Sequence, residues 1–494
     1  MKKIVILSLL IISSISMAQT EYIAYPSAGK GVASTFVTDY HALGINPANL
    51  GWQAYSDKKI TTGTTEFGLS VYSSALKKQD LRDNILGVIK SGSLDTLSTD
   101  QKIQAAKDFG GSDFAFNFDN NIFGFSYQSP KFGGIAVSIR TRASWNSNFS
   151  SDFSKILFQG QEASYFDSLV YFNGIDTVTV ANTGTYGDST GAVLSGQASI
   201  PLNLSQLLDG TYLRLSWNRE YHIGYGRKIL DLDSNLIVYA GVGAKYIQGI
   251  AYFDLSSENG ELKMVSAMSP GFDINYGLAA LTNPSALPAG GAQNFFKSSV
   301  GEGWGFDVGA NVLLFKKLHL AASVTNIGQM TYTGNVYEAV DTLVVDFSNA
   351  GLADMNVTNS VPEMLEESGL LKIRGKESFT VSLPGTFRMG GSIELGKIAH
   401  LGIDMVAPFN KVPGSFNGFA WGMGGDIKLA NGAVTLMTGI TGGGGYDLQM
   451  PIGINFALKG GTYEFGVSSR DAVTFFKDNA PTLSLAMGFA RIRF

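Results

Sequence analysis

The sequence predicts an all-β fold: a transmembrane β-barrel of the outer-membrane type, with about fourteen antiparallel strands, an N-terminal plug and short helices in long external loops. Three observations carry this expectation. Apolar and polar residues alternate with period two over runs far longer than ordinary strands. Tight turns and long connectors alternate along the chain. Only 16% of the 494 residues are charged, 60 are glycine and 45% are hydrophobic. Yet no segment beyond the N-terminus is an unbroken apolar run long enough to cross a membrane as a helix.

The same composition excludes other classes. The chain holds too much apolar surface for intrinsic disorder. Without cysteine it is not a disulfide-stapled domain. A net charge of -5 with no basic cluster argues against nucleic-acid binding.

At the start, Lys2 and Lys3 precede an apolar run from Ile4 to Ile15, followed by small residues at Ser16 and Ala18. This is the pattern of a cleaved export signal over residues 1–18, too short an apolar run to span a bilayer comfortably.

The alternation is clearest from Tyr212 to Lys228. Leu213, Leu215, Trp217, Arg219, Tyr221, Ile223 and Tyr225 share one phase, and Arg214, Ser216, Asn218, Glu220, His222, Gly224 and Gly226 the other. Strict alternation puts each set on one face of a strand. Trp304, Phe306, Val308, Ala310 and Val312 repeat the behaviour against Gly305, Asp307, Gly309 and Asn311. Short connectors such as Asn431-Gly432 and Gly460-Gly461 suit two-residue hairpin turns with positive φ. Long connectors fall near 73–111, 147–209, 254–302 and 334–378, and later ones shrink. These connectors delimit strands near 60–72, 112–128, 133–146, 210–228, 236–253, 303–315, 318–333, 379–396, 400–408, 418–429, 433–441, 450–459, 461–476 and 481–494. Tight turns belong on the periplasmic side and long loops outside. A soluble sandwich would carry shorter strands and a polar outer face.

The chain ends on Phe494, an aromatic terminus like the assembly signal of outer-membrane barrels. Leu483, Leu485, Met487 and Phe489 share a phase that Ile492 and Phe494 leave. A bulge near Ala490 would reconcile them, or the last residues lie outside the ladder.

Residues 19–59 precede the first strand and contain Ala42-Leu-Gly-Ile-Asn46-Pro47-Ala48-Asn-Leu-Gly-Trp52. Asn46-Pro47 opens a turn, and Ala48–Leu50 suits a short helical turn. With the Ala/Gly-rich lead and Asp39, this string resembles the N-terminal hatch of FadL-type outer-membrane proteins. It also resembles a family of bacterial outer-membrane proteins distantly akin to FadL and to PorV-type components of type IX secretion. The resemblance implies a fourteen-stranded barrel partly blocked by residues 19–59, with Asp39, Asn46, Pro47, Ala48 and Trp52 as the hatch motif. It covers about 20 residues, and no ligand motif of FadL is matched. Within the insertion near 76–110, Leu81, Ile85, Val88 and Ile89 have helical spacing, and Ser98 with Gln101 forms a capping box. Residues 153–169 suit a second short helix.

Sites of enzymatic chemistry are not apparent. His41, His222, His319 and His400 lie in separate segments without metal spacing. No G-x-S-x-G elbow occurs. Asp231-Leu-Asp233 lacks the later ligands of a calcium loop, and Ala28-Gly29-Lys30-Gly31 lacks the full phosphate-loop signature. No cofactor or metal is expected, and the chain is not expected to be an enzyme. The polar phases place Arg140, Arg142, Arg214, Glu220, His222, Lys245, Asp307, Arg388 and Glu394 toward the lumen. Paired across strands, they would hold lumen and hatch together or line a solute path. Glycines of the same phases, such as Gly241/Gly243 and Gly305/Gly309, leave room for a plug.

Two functions follow as expectations. One is passive or gated uptake of a small solute past the hatch, with hydrophobic solutes among the candidates. The other is a non-transporting scaffold or secretion adaptor that binds cargo or an envelope partner through external loops. Outer-membrane lipid, the barrel assembly machinery and a hydrophobic ligand or secretion partner are the expected partners of a monomeric chain.

Overall fold

A computed structural model describes residues 24–75, 98–184, 192–232, 235–272, 274, 276–288, 297–348, 351, 372–396, 398–416, 418–473 and 482–494. The expected export signal and the helical spacing at Leu81–Ile89 lie outside the described residues.

Fourteen antiparallel strands close into a barrel. They are β1 (Ile60–Ser73), β2 (Asp113–Ser129), β3 (Gly133–Asn148), β4 (Tyr212–Leu232), β5 (Leu236–Glu258), β6 (Gly301–Leu314) and β7 (Leu318–Tyr332). The circuit continues through β8 (Thr386–Leu395), β9 (Ala399–Pro408), β10 (Ala420–Leu429), β11 (Val434–Gly443), β12 (Ile452–Leu458), β13 (Tyr463–Ser469) and β14 (Thr482–Arg493). Short strands Phe379–Ser382 and Tyr446–Gln449 extend the ladder ahead of β8 and β12. Closure is direct, because β1 pairs with both β2 and β14. A closed sheet leaves no unpaired edge, which is what a wall in lipid requires.

The outer face meets that condition. Trp304, Phe306 and Val308 on β6, Ile403 on β9, and Met423 on β10 are large, apolar and exposed. In water such a belt would be an aggregation surface; in a bilayer it is the lipid contact of a membrane-spanning barrel.

Bulges reset the phase where the pattern breaks. Next to β13, the register shifts between Glu464 and Gly466, so that Phe489 and Ala490 on β14 are accommodated. Phe489 then points out while Arg491 and Arg493 point in. Phe494 stays inside the ladder: its carbonyl accepts from Lys59 N and Ile60 N, and its own N donates to Ile60 O. A second bulge places Thr325 and Asn326 opposite Asp307. Asn326 adopts φ of 61° there, a left-handed conformation that Asn tolerates.

The barrel end that bears the long connectors, expected to face outward, carries a separate external layer. Helix α1 (Thr99–Phe109) is capped by Ser98 and Gln101 in a full capping box, and α2 (Ser151–Gln159) by the Ser150 side chain. They pack with Phe149, Phe166, Leu204 and Leu207 into an apolar core over Trp145, Leu213, Phe253 and Leu255. A four-stranded sheet of Ser168–Phe172, Thr177–Ala181, Ala192–Gln197 and Asp346–Phe347 joins this layer. The loop between β9 and β10 does not project outward. Asn410 donates to Leu383 O, Ser415 is buried, and Gly414 sits against Ser216 and Pro384, so the loop dips into the barrel.

Candidate functional site: the lumen and the segment inside it

The segment from Ala24 to Trp52 lies inside the wall and is almost entirely buried. Its local structure is a series of short turns. Tyr25–Ala28 and Asp39–Ala42 are single helical turns, and Pro47–Gly51 is a 3₁₀ turn that Asn46 caps by accepting from Ala48 N. Asn46 also donates to Ala310 O at 3.1 Å. Asn49 donates to Ser34 O and Val37 O, both at 2.8 Å, which folds the segment back on itself. A chain this irregular must satisfy its backbone groups elsewhere, and the barrel's inward side chains do so.

The segment touches every strand. Tyr40 and His41 meet Glu66 on β1 at 2.5 and 2.8 Å. Gln128 on β2 donates to Thr38 Oγ1, Leu50 O and Trp52 O. Leu50 abuts Gly134 on β3, and Pro47 abuts Gly226 on β4 and Gly241 on β5. Asn311 on β6 donates to Asn49, and Ser323 on β7 to Ile45 O. Ser34 packs at Gly390 on β8, and Asp404 on β9 accepts from Ala33 N and Ser34 N. Lys30 pairs with Asp426 on β10 at 2.6 Å, and its carbonyl lies against Gly439 on β11. Gly29 faces Gly453 on β12, Ser468 on β13 donates to Tyr25 O, and Asp39 pairs with Arg491 on β14. At several of these approaches a Cβ on the wall would collide with the segment's backbone, which is why glycine stands there.

The contacts are chiefly polar and buried. Asp39 and Glu464 form a four-membered ionic cluster with Arg491 and Arg493, with Arg491 to Glu464 at 3.0 Å and Arg493 to Asp39 at 3.8 Å. Asn455 adds a donor to Glu464. Burial pushes the Tyr40 phenol well above its ordinary value, so it remains a donor to Glu66. Charges enclosed this way are tolerated only as a paired set.

A second group lies across β2 to β7. Arg142 reaches Glu220 at 3.6 Å and Asp119 at 3.7 Å, and Arg140 reaches Asp119 at 3.4 Å. His222 meets Glu220 at 2.7 Å, and Lys245 pairs with Asp307 at 3.1 Å while also contacting Asn326. Gly44 of the segment lies beside His222. A narrow polar space above this group is lined by Asn117, Arg142, Ser144, Ser216 and Glu220, and is closed by Leu383, Pro384 and Gly414.

The residues singled out in the sequence fall in different places. Asp39, Asn46, Pro47 and Ala48 are buried in the segment, and Trp52 lies with its ring 5.7 Å from that of His319. Arg140, Arg142, Glu220, His222, Lys245 and Asp307 come together in the second group. Arg388 is buried on β8, whereas Arg214 pairs with Asp254 at 3.4 Å toward the external end of β4. Glu394 has the inward phase but stands exposed at the periplasmic end of β8, outside the enclosed groups. Of the expected glycines, Gly241 and Gly309 meet the segment, while Gly243 faces Asp307 and Gly305 faces Lys245 and Leu383. Phe494 is exposed at the barrel's end. Asp404, Asp426 and Glu464 share the inward polar phase that the sequence shows, and the structure turns them toward the segment or its partners. Sequence reading did not find Glu66, Gln128 or Asn49, nor the segment's link to Arg491. For Glu66 and Gln128 the inward phase was the available signal. Among the described residues no cluster of His, Asp and Glu is placed to hold a metal ion.

Comparison with known proteins adds these likenesses. A model of a family described as a family of unknown function (DUF5723) matches residues 180–420. No curated protein matches the chain. Among solved structures, the chain is similar to the Pseudomonas putida toluene transporter TodX, with 10% identity, a TM-score of 0.38, and coverage of 97% of this chain and 99% of that one. It is similar to a Pseudomonas aeruginosa FadL homologue at 12% identity and a TM-score of 0.37, covering 97% of each. A third is the monoaromatic hydrocarbon channel CymD, at 10% identity and 0.39, covering 95% and 96%. The fold assignment stands on the strand pairing itself.

Proposed function

We propose that the chain is an exported outer-membrane barrel, working as a monomer, that passes a small solute between the exterior and the periplasm. Residues 19–59 act as the hatch. The carrying observation is the contact of residues 24–52 with all fourteen strands, through hydrogen bonds or ion pairs on β1, β2, β6, β7, β9, β10, β13 and β14 and through close packing at glycines on the others. Such contacts exchange for water without exposing a large apolar core, so the segment is displaceable in a way that a hydrophobic plug is not. Phe494 is the proposed terminus read by the assembly machinery.

The wall that displacement would uncover is polar. Asn117, Asn121, Arg140, Arg142, Glu220, Asp307, Asn311 and Asp404 face inward. This lining favours a water-soluble solute over a hydrophobic one. A transporter has no need of catalytic chemistry, and the lumen's charges are engaged with one another.

The test is swelling of proteoliposomes in isotonic erythritol. The Lys30→Met/Asp39→Asn variant, which loosens the segment at two anchors, should swell faster than the intact chain. Equal rates would count against the hatch. A second reading, an adaptor that binds cargo, is favoured by the external layer: Ile175 and Ile200 are more than 80% exposed there. A stable complex captured through that layer, with no solute flux, would favour it.

A further inference from the structure

On its lipid side the wall from β7 to β13 is hollowed. Leu320, Ile393, Ile403, Met423, Leu436 and Ile454 line a groove of about 2360 Å³, counted with its open mouth. The opposite face of the same strands meets the inner segment. There Gly402, Gly424, Gly439 and Gly453 bring the wall against Phe36, Lys30 and Gly29 of the inner segment. A sheet drawn inward at its glycines is concave outside.

The groove reaches the periplasmic ends of its strands, since Leu318 opens β7, and Ile427 and Leu436 flank the β10–β11 turn. The periplasmic rim there is cationic. Lys316 and Lys317 form the β6–β7 turn, Lys428 stands at the end of β10, and Lys459 lies in the β12–β13 turn, all exposed. Among the described residues of that rim, Glu394 is the exposed carboxylate.

We propose that this groove is a binding site for an anionic phospholipid of the periplasmic leaflet. Its acyl chains fill the hollow and its phosphate meets the lysine rim. Flexible chains fit an irregular apolar concavity, and clustered lysines at a membrane surface attract anionic headgroups. The excess of lysine over carboxylate selects the anionic lipid over a zwitterionic one.

The test uses the full chain, reconstituted in nanodiscs of phosphatidylcholine and phosphatidylglycerol at 3:1, then extracted into dodecyl maltoside. Retained lipid is counted by native mass spectrometry. The intact chain should retain phosphatidylglycerol in preference to phosphatidylcholine. Ile403→Trp/Ile440→Trp, which fills the hollow, should lose the retained lipid. Lys316→Gln/Lys317→Gln/Lys459→Gln should keep lipid but lose the headgroup preference by roughly tenfold. Heat-modifiable migration on gels identifies folded barrels, and the lysine variant tests the site even if the tryptophan variant does not fold. Lipid retained equally by the filled variant, retention without headgroup preference, or a protein partner seated in the hollow would each overturn the proposal.

Discussion

The two halves of the barrel are built differently. Strands β1 to β7 run 14 to 23 residues, whereas β8 to β14 run 7 to 12. A tilted strand needs about 9–11 residues to cross the hydrocarbon core. The first half therefore rises well past the membrane and supports the external layer of α1, α2 and the four-stranded sheet. The second half stays near or below that length, carries no such layer, and meets the inner segment at Gly402, Gly424, Gly439 and Gly453. The difference teaches that the chain divides its stabilisation. Apolar packing holds the external layer on the long strands. Buried ion pairs and close backbone approach hold the segment in the lumen.

The largest effect should come from unbalancing the lumen charges. Arg491→Leu leaves Asp39 and Glu464 short of a cation, at a cost of about 3–5 kcal/mol. Urea unfolding in lipid vesicles should report that loss, and an unchanged midpoint would mean the ionic cluster does not hold the segment. Next, Phe153→Ala removes a fully buried ring from the external core. A loss of about 3 kcal/mol should appear as faster hydrogen exchange in α1 and α2, with the barrel strands unaffected. Exchange spreading into β8 to β14 would break the division between halves.

How much of this was legible in the sequence differs by level. The strands were readable because a residue's side of a wall is fixed by its parity, and lipid forces one parity to be apolar. The capping box at Ser98 and Gln101 was readable because its partners are three residues apart. The change of phase at the chain end left two readings, a bulge or residues outside the ladder; the structure has the bulge, with Arg491 and Arg493 turned inward. Pairings such as Asp39 with Arg491 were not readable, since they join residues far apart in the chain and many inward charges could have answered. Parity also gives side but not depth, so Glu394 and Arg214 looked equivalent to Glu220 and are not. The β9–β10 loop reads like any other, and nothing in its composition tells that it folds into the lumen.

Smaller effects sharpen the comparison further. Gly424→Val places a side chain against the Lys30 carbonyl, and about 1–3 kcal/mol of overpacking should loosen the segment. Limited proteolysis from the periplasmic side should then cut residues 24–52 faster, and unchanged cleavage would show that the wall yields instead. Ser98→Ala removes the α1 cap and should cost about 1 kcal/mol, seen as fraying of the first turn of α1 by hydrogen exchange. A matching change in the lumen would contradict the independence of the two halves.

The central claim is that residues 24–52 close the lumen. Single-channel recording in planar bilayers tests it most directly, comparing the intact chain with one lacking those residues. The account predicts near-zero conductance for the intact barrel and discrete, long-lived openings for the deletion. A folded deletion barrel that stays as closed as the intact chain would contradict it.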